Sequence, residues 1–146
     1  MLIKLCFSFI ASSATAVLYN VERRLIVYCG MSGMFTWLIY SLFSSLGLSE
    51  ALASLLALLS LTFLSRLFNK ITQIPNMIFN ISGIMPIVPG GLLFKTFNNL
   101  ADKHYEIALT DGFQAVLVAG AIAVGFIVNE VLTKYLFLIK KRMRSD

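Results

Sequence analysis

The sequence predicts an all-α integral membrane protein with five transmembrane helices, the fourth of which is interrupted. Of its 146 residues, 58% are hydrophobic and 13% are charged, whereas a soluble domain has about 45–50% apolar and about 25% charged residues. Apolar runs recur at about the 20 residues that a spanning helix needs. Two prolines and three glycines interrupt the fourth run, between Ile81 and Gly91. The length suits a single domain, residues 1–146.

The first span is predicted at residues 2–18. Four hydroxyl-bearing residues recur at three- or four-residue spacing and share one helix face: Ser8, Ser12, Thr15 and Tyr19. Such a stripe is typical of close packing between transmembrane helices. The alternative is a signal peptide, because Ala14-Thr15-Ala16 resembles a cleavage site. A span is favoured, since Lys4 is the only charge before that site and cleavage would leave Arg23 and Arg24 on the far side.

The second and third spans are predicted at residues 25–46 and 51–68. The turn between them ends in Ser49, a residue type that caps helix N-termini, followed by Glu50, whose charge suits the first helical turn. These features predict a sharp connection and a well-defined start for the third helix.

The fourth span is predicted at residues 75–100, as two half-helices separated by a break. Proline lacks a backbone donor and clashes with the preceding turn, so a helix should end near Ile84 and resume near Leu92. The first half, residues 75–83, covers about half of the hydrocarbon thickness. The break is therefore expected near the middle of the membrane, where it needs protein or water to satisfy its backbone groups.

The fifth span is predicted at residues 113–138. The preceding residues, 98–112, are interpreted as the longest polar loop, with Thr110 or Asp111 capping the last helix. A basic tail follows at residues 140–144.

Charge placement predicts an N-terminus outside and a C-terminus in the cytoplasm. Five crossings from an outer N-terminus give the inner side nine basic residues: Arg23, Arg24, Arg66, Lys70, Lys134, Lys140, Lys141, Arg142 and Arg144. The outer side receives three: Lys4, Lys95 and Lys103. This split follows the positive-inside rule. A re-entrant hairpin in place of the fourth crossing would put the basic tail outside, so a true crossing is favoured.

Glu130 is the acid placed well within an apolar run, and such residues are costly and typically functional. It is a candidate for proton or ion coupling. It shares a helical stripe with small residues, which predicts a face towards other helices. The alternative is a structural pair with Lys134, four residues on.

The interruption of the fourth span predicts a site for the substrate, separate from Glu130. The N-terminus of its second half would direct unpaired N–H groups towards a carboxylate, as in transporters with discontinuous helices. Freed carbonyls near Gly83 would suit an ammonium group or a cation. A proline kink that only helps packing is the alternative. The predicted substrate-binding residues are Asn80, Ser82, Gly83, Pro86, Pro89, Gly90, Gly91 and Asn98.

Other functional classes find little support. The net charge of +5 is spread over the ends of apolar runs, which fits membrane orientation better than nucleic-acid binding. Cys6 and Cys29 lie in apolar segments without metal-ligand spacing and are interpreted as buried small residues. No HExxH or GxSxG motif is present, so neither an intramembrane enzyme nor a cofactor is predicted.

Three motifs resemble the threonine/serine exporter family, in its small, membrane-only component of the two-component type. They are Tyr19-Asn-Val-Glu-Arg-Arg24, Ile74-Pro75 and Gly83-Ile-Met-Pro-Ile-Val-Pro-Gly-Gly91. The resemblance covers nearly the whole chain and marks Asn20, Arg23 and Arg24 as a cytoplasmic loop motif. One departure is Ser82, where the family often has proline.

The resemblance implies a multi-pass protein of the bacterial cell membrane that exports small carboxylates, either threonine and serine or succinate-like dicarboxylates. It also implies a partner, a larger five-span component with a soluble N-terminal part. Membrane lipid is the surrounding medium, and association with further copies of the chain is left open. The alternative is a membrane scaffold that stabilises a partner without transporting.

Overall fold

The computed structural model describes the backbone of residues 2–142 and the side chains of residues 2–131 and Lys134. Its helices are α1 (Leu2–Leu18), α2 (Arg23–Ser45), α3 (Glu50–Thr72), α4 (Asn76–Ile84), α5 (Gly90–Ala101) and α6 (Tyr105–Arg142). A single 3-10 turn, Met85–Ile87, follows α4. All regular structure within residues 2–142 is helical, which confirms the all-α class.

Four helical units are long and apolar enough to cross a membrane, among the residues searched: Arg23–Ser45, Glu50–Thr72, the interrupted unit Asn76–Ala101, and Tyr105–Val131. Leu2–Leu18 is apolar but only 17 residues long. The chain is therefore a multi-pass helical membrane protein. The fifth crossing and the orientation remain predictions.

Helix α1 packs against α2 through small residues. Ser8, Ser12 and Thr15 are buried, as their spacing predicts, whereas Tyr19 is 64% exposed. Gly33 allows the close approach, because a Cβ there would lie 1.8 Å from the Ser12 hydroxyl oxygen. Cys29 of α2 is buried, as expected, but Cys6 of α1 is exposed. Cys6 lies on the face of α1 that points away from α2.

Helix α3 crosses the centre of the fold and packs against α2, α4 and α6. Ser49 caps it as predicted, accepting a hydrogen bond from the Leu52 amide at 3.4 Å. The helix continues four residues beyond the predicted end, to Thr72, where Gln73 takes a left-handed conformation. Asn69 donates to the carbonyl of Ile74 at 2.7 Å and fixes the turn into α4.

The predicted polar loop at residues 98–112 is wrong. Helix α5 continues to Ala101 and α6 begins at Tyr105, so the connection is three residues long. Thr110 and Asp111 lie inside α6 rather than capping it. The Thr110 hydroxyl donates to the Glu106 carbonyl, and Asp111 accepts from the Asn99 side chain at 3.0 Å. Since α5 and α6 satisfy each other's polar side chains, this polar stretch can remain helical.

Helix α6 uses one face for its neighbours. It runs antiparallel to α5, with Gly112 beside Thr96, and packs against α3, with Gly125 beside Leu58. The buried residues of this face are Ala108, Ala115, Val118, Gly125 and Asn129. The predicted inward stripe is wrong in part, because Ala119, Ala123 and Glu130 are exposed. The buried face of α6 differs from the predicted stripe because α6 packs against both α5 and α3.

Candidate functional site

The first half of the broken crossing is buried. Asn80 is 5% exposed and its side-chain oxygen accepts a 2.5 Å hydrogen bond from the Ser65 hydroxyl of α3. Ser82 is 1% exposed and lies beside Cys29 of α2. Gly83 lies so close to Leu61 that a Cβ would meet its methyl groups at 2.9 Å. Three predicted site residues are thus used to seat α4 between α2 and α3.

The break occurs where the sequence predicts it. Pro86 has no N–H to offer the carbonyl four residues earlier, so the α-helix stops at Ile84 and tightens into the 3-10 turn. Val88 is fully extended, with φ −61° and ψ 133°, and its amide donates to the Met85 carbonyl at 3.4 Å. The interruption is therefore a real change of chain direction rather than a mild kink.

Helix α5 restarts in open space. The Gly90 amide donates to the Val88 carbonyl at 2.7 Å, and the Leu93 amide donates to the Pro89 carbonyl at 3.1 Å. A Cβ at Gly90 or Gly91 would meet no atom within 4 Å. The amides of the first helical turn lack partners within the helix by geometry. The start of α5 therefore lies in an uncrowded place, and the binding of a carboxylate there stays a prediction.

The broken segment spans a range of depths along α3. The end of α4 packs beside Leu58 and Leu61, near the middle of α3. The start of α5 instead shares a cavity with Glu50, the first residue of α3. The break thus runs from the middle of α3 towards its first residue, through the 3-10 turn Met85–Ile87 and the extended residue Val88. Gly90 and Gly91 lie at the α2–α3 end of the molecule and not at its middle.

A first cavity, of about 370 Å³, opens at the α1–α2 turn and is called the turn cavity. Its lining includes Asn20 and Glu22 of that turn and reaches Ser82 of α4. Asn20 takes a left-handed conformation, with φ 55°, and Arg24 forms an exposed 2.6 Å ion pair with Glu22. Of the predicted loop motif, Asn20 lines this cavity, whereas Arg23 and Arg24 lie in the first turn of α2 and are not among its lining residues.

Two further cavities open at the opposite, α2–α3 end. The Lys4 cavity, of about 330 Å³, is lined by Lys4, Phe7, Ser8, Ala11, Trp37 and Pro86. The Glu50 cavity, of about 170 Å³, has Trp37, Tyr40, Glu50, Pro86, Pro89 and Gly91 among its lining residues. The two cavities adjoin at Trp37 and Pro86. Both therefore reach the break from the side opposite to the turn cavity.

About one helical turn of the broken crossing separates the turn cavity from the Lys4 and Glu50 cavities. The turn cavity reaches Ser82 and the others reach Pro86, which leaves Gly83, Ile84 and Met85 between them. Three helical residues rise about 4.5 Å. Gly83 is packed against Leu61 and Ser32. Cavities from the two ends of the molecule thus reach the broken crossing on either side of this packed residue.

The remaining predicted residues lie apart from the break. Asn98 is exposed near the far end of α5, about 12 Å from Gly90 by helical rise. Glu130 forms a 2.9 Å ion pair with Lys134, and their side chains are 64% and 72% exposed. The geometry is that of the structural alternative, although it does not test a coupling role.

Sequence reasoning missed Lys4, Trp37, Tyr40 and Glu50. Each lies near the end of an apolar run, where charged and aromatic residues ordinarily anchor a helix at the membrane interface. Their shared position around Pro86 follows from the packing of α1, α2 and α3, which single-segment patterns do not encode. The aromatic residues Trp37 and Tyr40, three residues apart on one helix face, were the available sequence signal.

Comparison with known proteins places the chain in a family. Residues 4–132 match the family model described as Threonine/Serine exporter, ThrE. The matched segment contains the turn motif, the broken crossing and all three cavities. No curated protein and no solved structure matches the chain.

Proposed function

Since the chain belongs to the threonine/serine exporter family, we propose that it is the membrane subunit of a secondary exporter of small carboxylates in the cell membrane. One observation carries this proposal. Cavities from the two ends of the molecule approach the same broken helix and stop one turn apart, at Ser82 and at Pro86. Alternating access requires a closed barrier of this kind between two approaches. Threonine or serine is the first substrate class, and a succinate-like dicarboxylate is the second.

The two halves of the broken crossing take different parts in the proposed cycle. Helix α4 keeps the barrier in place through its contacts with α2 and α3. The start of α5, at Gly91, offers a backbone N–H group and the positive end of a helix dipole to the substrate carboxylate. Movement of the α5–α6 hairpin relative to α4 would then open one approach and close the other.

A second membrane component completes the proposed exporter. Helix α5 buries none of its residues within the chain, and Phe94 and Phe97 are 71% and 66% exposed. The Glu130–Lys134 pair lies on an outward face of α6, and charges against hydrocarbon are costly. Both features favour a protein neighbour, which we propose to be a larger five-span component with a soluble N-terminal part.

Efflux from loaded cells tests the function. Cells that contain the second component are loaded with radiolabelled threonine or succinate, and loss of label is followed with and without this chain. The proposal predicts faster loss of at least one label when the chain is present. Unchanged efflux of both labels would contradict it.

A scaffold that stabilises the partner without transporting is the second candidate, favoured by the outward apolar face of α5. It predicts that Pro86→Ala and Pro89→Ala lower the amount of assembled complex. The exporter predicts that the same variants assemble and transport poorly. Co-purification measured beside efflux separates the two.

A further inference from the structure

Helix α1 lies on α2 through a contact that leaves two hydroxyl groups without partners. The hydroxyl oxygens of Ser12 and Ser13 are buried and form no hydrogen bond, and Ser12 as a whole is 0% exposed. Ser8 and Thr15, on the same face, each donate to the carbonyl four residues earlier, at 2.8 and 2.9 Å. A buried hydroxyl without a partner destabilises the conformation that contains it. The described position of α1 therefore leaves hydrogen bonding unsatisfied near its centre.

Two glycines of α2 lie against these hydroxyl groups. A Cβ at Gly33 would lie 1.8 Å from the Ser12 hydroxyl oxygen, and a Cβ at Gly30 would lie 2.5 Å from that of Ser13. Glycines let two helices approach closely but offer no side chain that interlocks with the neighbour. Small sliding movements of packed helices are a common form of conformational change. A shift of α1 away from Gly33 also frees the Ser12 hydroxyl to reach the Ser8 carbonyl, four residues earlier.

The two ends of α1 are held differently. Ala16, near the last turn, is 0% exposed and belongs to a core cluster shared with α2, α3 and α4. The large side chains of the first half are 59–78% exposed: Leu2, Ile3, Phe7 and Ile10. The helix is therefore anchored at the end near the turn cavity and less constrained at the other end.

The less constrained half of α1 forms one wall of the Lys4 cavity. Four of the six residues that line this cavity belong to α1, and they face Trp37 of α2 and Pro86 of the break. Movement of this half changes the width of the approach to Pro86. We propose that α1 is a gate for this approach, which swings about its anchored end at Ala16 and slides over Gly30 and Gly33. The gate rests on the exporter function and identifies an element that opens the path.

A disulfide between α1 and α2 tests the gate. The pair Ser13→Cys and Gly30→Cys is made in a chain whose natural cysteines are replaced, by Cys6→Ala and Cys29→Ala. Oxidation of the pair adds a second fixed point one turn from Ala16, and a rigid helix that is fixed at two points cannot swing. In cells that contain the second component, the oxidised form should lose most efflux of whichever label the wild type moves. Reduction of the disulfide should restore that efflux.

A second disulfide is the matched control. Thr96→Cys and Gly112→Cys are placed in the same cysteine-free chain, where a Cβ at Gly112 would lie 3.3 Å from the Thr96 methyl carbon. This bond joins α5 to α6 within their hairpin and does not involve α1. Efflux should be the same in its oxidised and reduced forms, which also excludes an effect of the oxidant itself.

Trp37 fluorescence measures the movement of the gate without transport. Trp37 is the single tryptophan of the sequence and lines the Lys4 cavity. Its quenching by acrylamide in the purified chain should fall when the Ser13–Gly30 pair is oxidised and recover on reduction, with no change in the control pair. The Phe9 ring, which a Cβ at Gly30 would meet at 2.5 Å, must turn aside in this variant. The quenching comparison remains valid even where that adjustment slows transport.

The outcomes separate the gate from the proposed function. If the wild-type chain moves neither label, the exporter function fails, and Trp37 quenching alone decides whether α1 moves. If the oxidised Ser13–Gly30 pair keeps the efflux of its reduced form, the gate is wrong and the exporter function stands. Unchanged Trp37 quenching on oxidation would likewise overturn the gate, whatever happens to efflux. Membrane abundance and melting temperature of the reduced form identify a general structural defect.

Discussion

The two halves of the broken crossing, α4 and α5, have opposite environments. Helix α4 buries Phe79, Asn80, Ser82 and Gly83 among α1, α2 and α3. Helix α5 is three residues longer yet buries none of its residues, and its one extensive helix partner is α6. The same apolar run is therefore divided into a half that belongs to the core and a half that belongs to a hairpin.

The difference assigns separate tasks to the two sides of Pro86. Asn80 accepts a buried hydrogen bond and Gly83 is crowded, so the end of α4 is built to stay in place. Glycines at the start of α5 are uncrowded, so chain movement and ligand approach are both allowed there. Changes in α4 should accordingly affect folding, whereas changes at the start of α5 should affect transport.

Glycine replacement should give the largest difference in stability between a variant in α4 and a variant at the start of α5. Gly83→Leu places a side chain against Leu61 and Ser32, where a Cβ alone would already lie within 3.0 Å. Overpacking of this kind typically costs about 1–3 kcal/mol. Gly90→Leu meets no atom within 4 Å at its Cβ and should leave stability nearly unchanged. Thermal melting of both variants in detergent measures the contrast, and equal melting temperatures would contradict it.

Asparagine replacement should give a smaller difference in stability between the two helices. Asn80→Ala removes the buried hydrogen bond from Ser65, which is expected to cost about 1–3 kcal/mol. Asn98→Ala, the matched change on the exposed face of α5, should remain within about 0.5 kcal/mol of wild type. Denaturant unfolding in micelles compares the two. A larger loss for Asn98→Ala would show that α5 is held more tightly than its burial indicates.

The smallest effect is expected at Glu130. Its exposed pair with Lys134 is an i,i+4 contact, worth about 0.2–0.5 kcal/mol on a helix. Glu130→Gln should therefore change stability little and leave the dependence of efflux on external pH as in wild type. Lys134→Gln is the control for loss of the pair. If Glu130→Gln alone abolishes the pH dependence, Glu130 carries the coupling proton.

Local backbone chemistry made much of the fold predictable. Pro86 and Pro89 place the break, Ser49 caps α3, and the spacing of Ser8, Ser12 and Thr15 gives the buried face of α1. Each of these depends on a few neighbouring residues and needs no knowledge of the tertiary structure.

Features that depend on packing between segments were predicted poorly. Polar residues 98–112 suggested a loop, but Asn99 and Asp111 satisfy each other across the α5–α6 hairpin. The buried face of α6 depends on packing against both α3 and α5, and the predicted face was wrong in part. The cavities beside Pro86 depend on residues from several helices, Lys4 in one and Glu50 in the other, which no single segment encodes.

Threonine efflux through Gly91→Leu tests the central claim, that the break is the transport path. Gly91 lines the Glu50 cavity, and its Cβ would have no neighbour within 4 Å, so leucine fills the path without disturbing the core. Gly120→Leu, at an equally open position on the outward face of α6, is the matched control. We predict that Gly91→Leu reaches the membrane with normal abundance and melting temperature but loses most threonine efflux, while Gly120→Leu keeps it. Wild-type efflux through Gly91→Leu would contradict the account.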